Sequence, residues 1–234
     1  MTPGVRFTRA GFVAGFRQSI VIAPTVALYG VAFGVLAGAS SLSALQSLLF
    51  SAWVNAGGAQ MASLQAWSEP VPVLAVVLTT WAMNSRYLLL GAALRPVMGD
   101  LPARQVYPSL FVLGDGNWAL TMREFAAGRH DGAFLAGSGV AMWLCWVLAT
   151  VAGHAFGRTV GNPERYGLDF MLMAFFAAMT VSFYRRPASL VPFVFGAVVA
   201  IVVQRQLAGP WYLLIGAAVG SLLVLMLPEP RDAG

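Results

Sequence analysis

In this chain of 234 residues, 59% are hydrophobic and 10% are charged. That leaves too little polar surface for a soluble domain, in which about a quarter of residues carry charge, so the surplus apolar side chains take lipid as their solvent. The net charge of +5 comes from arginines in short connections between apolar stretches, a positive-inside pattern rather than a nucleic-acid footprint.

A spanning helix needs about 20 apolar residues. The pattern predicts a first span at 19–38, an apolar segment at 43–67, a span at 71–93 and a short segment at 106–122. Further spans follow at 133–153, 168–184, 188–206 and 210–227. No segment alternates apolar and polar residues at period two, which argues against a membrane β-barrel. The reading is one integral membrane domain over residues 1–234, all-α and polytopic, with about six to eight transmembrane or re-entrant helices. Arg6, Arg9 and Arg17 precede the first apolar stretch, and Ala37-Gly38-Ala39 has the form of a cleavage site. Pro24, Gly30 and Gly34 interrupt that stretch, so it reads as a retained span and not a cleaved signal.

Gly30, Gly34 and Gly38 recur along one face of the first helix, as Gly216 and Gly220 do in the last. Such spacing admits a second helix at close range. It serves packing within the chain or, in a sharper reading, a second subunit.

Segment 43–67 is interrupted by Asn55-Ala-Gly57-Gly58-Ala-Gln60. Consecutive glycines are expected to open the helix there, and half-helix ends of this kind hold small zwitterions and ions. Asn55, Gly57, Gly58 and Gln60 are therefore candidate substrate contacts. The alternative is a kink held by side-chain hydrogen bonds.

The next span carries Asn84-Ser-Arg86-Tyr87. An ionisable residue at membrane depth costs a few kcal/mol and is a functional candidate by default. Asn84 and Arg86 point to nearly opposite sides of a regular helix, so this helix is expected to be central. Asn84, Arg86 and Tyr87 join the candidate substrate contacts, although Arg86 could instead snorkel to the surface.

Segment 106–122 contains Gly114-Asp115-Gly116-Asn117, a second predicted break. Asp115 is the expected partner of Arg86 and the candidate for ion coupling, against the plainer reading of an interfacial loop aspartate. Irregular backbone at this depth survives only where protein or a water-filled cavity satisfies it. If both broken segments re-enter, ten loop arginines fall inside and three outside, against eight and five if both cross. The arginine distribution favours re-entry, and both arrangements put both termini in the cytoplasm.

Later in the chain the chemistry thins out. Ala136-Gly-Ser-Gly139 reads as small residues at a helix interface and not as a nucleophile turn. His130 and His154 have no neighbours at metal-ligand spacing. Cys145 is a small core residue without a disulfide partner. Asp169 opens the 168–184 span as a cap or, alternatively, a gating residue. The chain has no lysine, hence no phosphate loop of the G-x-x-x-x-G-K type. No enzyme activity, cofactor or metal is expected.

Four of these stretches, in order, resemble the AzlC-type family, the large subunit of branched-chain amino acid exporters. Gly30-Val-Ala-Phe-Gly34, with Ser47 to Phe50 and Ala56-Gly57-Gly58-Ala59-Gln60, is similar to a glycine-rich stretch ending in Gln. Asn84-Ser-Arg86-Tyr87-Leu-Leu-Leu-Gly91 is similar to Asn-x-Arg-His-x-Leu-Tyr-Gly. Leu113-Gly-Asp115-Gly-Asn-Trp-Ala119 is similar to Leu-Thr-Asp-Glu-x-Phe-Ala. Gly167-Leu-Asp169-Phe170, with Phe175-Phe176, is similar to Gly-x-Asp-Phe with a following Phe.

The resemblance implies ion-coupled export of branched-chain or related amino acids across a bacterial inner membrane, with a small AzlD-type membrane subunit as partner. Asn84, Arg86, Asp115 and Gln60 take the family's polar positions. Tyr87, Gly116 and Gly114 stand where the family usually has His, an acid and Thr, which removes two proton carriers. Phe33 and Phe50 are expected to line the pocket for the substrate side chain. The rival classes are a passive channel or transporter for another solute, and a membrane assembly subunit that moves nothing.

Overall fold

The chain starts its first helix with a side-chain cap. The Thr8 hydroxyl accepts from the Gly11 N–H, opening α1 at Arg9–Ile20. Pro24 stands in the first turn of α2, Ala23–Ala39. Having no N–H, it cannot continue the hydrogen bonds of α1, and the two helices meet at 66°. The predicted span at 19–38 therefore corresponds to α2 alone, with a bent helix before it.

In the computed structural model the described residues are 4–65, 67, 70–160, 167, 170, 173, 174, 177, 181, 190–207 and 211–226. The predicted span at 168–184 lies outside them but for isolated positions, and Asp169 lies outside them altogether. A reciprocal Ser43–Gln46 cap opens α3, Ala44–Val54. There follow α4 (Gly57–Gln65), α5 (Val73–Asn84), α6 (Arg86–Met98), α7 (Ala103–Phe111), α8 (Asp115–Ala126) and α9 (Ala133–Val160). The last two are α10 (Leu190–Gln206) and α11 (Trp211–Met226). Among the described residues there is no strand, only an isolated bridge between Arg6 and Asp131.

The protein is all-α and membrane-like in composition. Val73–Met98 and Ala133–Thr159 are each long and apolar enough to cross a membrane, and the bent pair α1–α2 makes a third candidate. The segments 43–67 and 106–122 are each two short helices, not one span.

Helix α9 is the hub, with α1 and α2 lying along it and α3, α7 and α8 against it. Asp131 secures the start of this packing, accepting from the Thr8 amide and hydroxyl and from the Ala133 amide. Further along, glycines let backbones touch. A Cβ at Gly34 would lie 2.2 Å from the Thr150 carbonyl oxygen, and one at Gly153 would lie 2.2 Å from that of Val31. The glycine face of α2 is thus used up inside the chain. Gly216 and Gly220 are used in the same way against Pro192, Gly196 and Ala200 of α10. The α2 glycines thus follow the reading of packing within the chain, while Gly196, Gly216 and Gly220 also line an open groove between α10 and α11.

Because the obstacle at Gly34 is backbone, no rotamer change can relieve it. Gly34→Val is expected to force α2 off α9 and to remove the monodisperse peak of the detergent-solubilised protein in size-exclusion chromatography. A normal elution profile would show that the helices can separate at little cost.

The span formed by α5 and α6 is not central, contrary to expectation. Only 6% of its apolar window is buried. Leu74, Val77, Trp81 and Leu88 form an exposed stripe. Its polar residues occupy two flanks instead of the whole circumference. Thr80 meets Ser63 of α4 with hydroxyls 3.0 Å apart, and Arg86 faces α8.

Candidate functional site: two helix breaks and an ion pair

The first break is made by a different residue from the one expected. Asn55 closes α3 with φ 34° and ψ 35°, a left-handed conformation that asparagine tolerates better than most residues. Gly57 and Gly58 are already helical in α4. The role of Gly57 is space, since a Cβ there would lie 2.3 Å from Cη2 of Trp146. Gln60 is fully buried. Its Nε2 donates to Ser51 Oγ at 3.0 Å, and its Oε1 accepts from Trp146 Nε1 at 2.8 Å. Ser51 continues to Thr150 at 2.9 Å. Both ends of the Gln60 amide are therefore engaged in joining α3, α4 and α9.

The second break, at 112–114, also comes earlier than predicted. Gly114 is extended and Asp115 opens α8. The side-chain oxygen of buried Asn117 accepts from the Gly114 amide at 2.7 Å. Its Nδ2 donates to the carbonyls of Val112, at 2.9 Å, and Leu135, at 3.4 Å. Asn55 reaches across from the first break and donates to the carbonyls of Phe111, at 3.3 Å, and Leu113, at 3.5 Å. Three successive carbonyls at the end of α7 are thus satisfied by two side-chain amides, which is what irregular backbone at membrane depth requires. Gly139 makes the fit possible, because a Cβ there would lie 2.5 Å from the Val112 carbonyl oxygen.

The ion pair sits beside this second break. Arg86 Nη2 lies 2.9 Å from Asp115 Oδ2, with side chains 26% and 37% exposed. The guanidinium carbon is 5.2 Å from the Tyr87 ring centroid, within the range of a cation–π contact. At the first position of α8, the Asp115 carboxylate also meets the positive end of the helix dipole. Asn84 shares the α4-facing side of its helix with Thr80, and its Oδ1 is buried without a hydrogen-bond donor. The site therefore offers a cation from the start of α6 and an anion from the start of α8, while the buried Asn84 acceptor lies on the α4-facing flank.

The profile of the AzlC protein family matches residues 21–160. The chain belongs to the AzlC family. The AzlC match contains both helix breaks and the ion pair and stops before α10 and α11. The chain is also 27% identical over 187 residues to the inner membrane protein YgaZ of Escherichia coli strain K12, covering 77% of this chain and 76% of that protein. No solved structure gives a significant match. Family and relative together support a membrane protein with a transport-related role.

Within the AzlC frame the candidate residues separate into two groups. Arg86, Tyr87 and Asp115 come together, and Asn55 holds the backbone just before Asp115. Gln60 bonds to α3 and α9 and not to the ion pair. Phe33 is fully buried and packs with Phe50 and Trp146 as core, not as pocket lining. Gly116 faces Met142, whose Cε and Sδ would each lie 3.4 Å from an added Cβ. Tyr87 supplies the ring beside Arg86. Asn117 was not among the sequence-based candidates. Its signal was a lone polar amide just after the glycines of a break.

Proposed function

We propose that this chain is the large subunit of a secondary exporter of branched-chain or related small amino acids in a bacterial inner membrane. It would have both termini in the cytoplasm and a small AzlD-type subunit as partner. The observation that carries the reading is the Arg86–Asp115 pair at the start of α8, next to a helix break, in a chain of the AzlC family. A zwitterionic amino acid presents the two charges needed to replace each partner of that pair. Its carboxylate competes with Asp115 for Arg86, and its ammonium group meets Asp115. When the substrate leaves, Asp115 takes a proton or returns to Arg86, which links transport to an ion gradient. The paired breaks are the natural place for the two exposures to alternate.

The test is efflux from cells loaded with leucine- or valine-containing dipeptides, expressing the chain with its small partner. Faster, saturable loss of the branched-chain amino acid, relative to cells carrying empty vector, is expected. Linear efflux without saturation would indicate a passive channel. Unchanged pools, with both proteins in the membrane, would overturn the assignment.

A further inference from the structure

Helix α9 runs for 28 residues, about 42 Å at roughly 1.5 Å per residue. That is long enough for its ends to lie at opposite surfaces of a bilayer with a hydrocarbon core about 30 Å thick. Near its far end, a cavity of about 350 Å³ opens between α9 and the turn that joins α2 to α3. Helix α9 contributes His154 and Arg158 to the lining, and the turn contributes Ser40, Ser41 and Ser43. His154 is 4% exposed, and its Nε2 donates to the Leu42 carbonyl at 3.0 Å. That bond fastens the turn to α9, so the cavity is a fixed feature of the fold.

The cavity is cationic. Arg158 is exposed and belongs to neither ion pair among the described residues. No carboxylate lines the cavity, and residues 18–68, which supply α2, the turn and α3, contain no Asp, Glu or Arg. Ser43 Oγ accepts from the Gln46 amide at 3.2 Å, which leaves its own proton for a ligand. A guanidinium with hydroxyl donors beside it suits a phosphate diester.

An apolar stripe begins at the same place. Leu45, Leu49 and Trp53 of α3 are all exposed and recur every four residues, so they share one face. Helix α3 leaves the cavity at Ala44 and descends along α9, since the Ala52 carbonyl accepts from Trp143 Nε1 at 2.9 Å. Its 11 residues span about 16 Å, close to half of the hydrocarbon core. A charged head at the surface and an apolar path of one leaflet's depth match the two ends of a lipid.

We propose that the cavity and the stripe bind one anionic phospholipid. Arg158 and the Ser41 and Ser43 hydroxyls hold the phosphate, and an acyl chain lies along Leu45, Leu49 and Trp53. Phosphatidylglycerol is preferred over phosphatidylethanolamine, whose ammonium group finds no carboxylate here. The site shares no residue with the Arg86–Asp115 pair and does not depend on what the protein transports.

The test is native mass spectrometry of the chain in detergent, titrated with dioleoyl phosphatidylglycerol, dioleoyl phosphatidylethanolamine or glycerol 3-phosphate. Phosphatidylglycerol is expected to bind about tenfold more tightly than phosphatidylethanolamine, the effect of a single charge-assisted contact. Arg158→Gln, at an exposed position that the fold does not need, should make the two lipids equal. Arg9→Gln, an exposed arginine at the other end of the molecule, should leave the preference intact. Leu49→Gln should weaken both lipids alike.

Equal binding of the two lipids to the unmutated chain would overturn the site. The same loss from Arg9→Gln as from Arg158→Gln would also do so, by showing that any surface charge suffices. Glycerol 3-phosphate binding as tightly as the lipid, with Leu49→Gln silent, would give the cavity to a soluble phosphate ester and overturn the lipid reading.

Discussion

Arg86→Ala should reduce amino acid efflux to the level of empty cells while the protein still reaches the membrane. The guanidinium is the cation proposed to receive the substrate carboxylate, and it holds Asp115 at 2.9 Å. A hydrogen bond to a charged group contributes roughly 1.5–3 kcal/mol, so losing that contact alone costs about 10- to 100-fold in apparent affinity. The change also leaves Asp115 without the cation that faces it. Arg86→Lys is expected to restore only part of the activity, because an ammonium cannot reproduce the planar fork or its place beside the Tyr87 ring. Asp115→Asn keeps the shape of the side chain but cannot be protonated. It should lower the maximal rate and flatten the dependence of transport on the pH gradient. The measurement is leucine uptake into everted vesicles at matched expression, across a series of imposed gradients. If Arg86→Ala and Asp115→Asn both transport normally, the ion pair is structural and the site lies elsewhere.

The second large effect is expected on stability, at Asn117. Its amide supplies an acceptor for Gly114 and donors for Val112 and Leu135, all from a fully buried position. Asn117→Ala leaves the Gly114 N–H and the Val112 carbonyl without those partners. Each buried polar group left unsatisfied costs about 1–3 kcal/mol, and the irregular backbone here has no neighbouring turn to fall back on. A fall in the thermal midpoint of the purified protein, or failure to accumulate in the membrane, is the anticipated outcome.

Asn55 provides the comparison. Its bonds to Phe111 and Leu113 are longer and less buried, so its loss should be milder. Asn55→Gly removes those bonds but relieves the left-handed backbone, whereas Asn55→Ala removes them and adds strain of about 1–2 kcal/mol. The expected order of damage is Asn117→Ala, then Asn55→Ala, then Asn55→Gly. Damage at Asn55→Gly equal to that at Asn117→Ala would place the weight of the break on the cross-link between the two interrupted helices.

These two sites differ in how readily the sequence reveals them. Arg86 and Asp115 are visible because charge inside apolar segments is rare and demands a partner; few candidates exist, so the pairing can be read directly. Asn117 sits beside glycines and an aspartate that attract more notice, and its importance depends on which carbonyls the turn leaves exposed. The breaks were located to within a few residues, since glycines and polar groups inside an apolar run disfavour a continuous helix. Their makers were not, because Gly57 and Gly58 could equally open a helix or make room for a neighbour. The position of Trp146, far along the chain, decides that Gly57 makes room.

The sequence by itself determined the membrane-embedded helical class, the two interrupted segments, the Arg86–Asp115 pair and membership of a family. Composition, apolar run length and charge scarcity are properties of the chain alone. Tertiary structure alone decided that the α2 glycines are consumed against α9 and that Gln60 is tied to Ser51 and Trp146. It also decided that α5 and α6 expose one side and that Asn55 of one break satisfies the carbonyls of the other. Each of these depends on which helices lie side by side, and segmental hydrophobicity does not encode that choice.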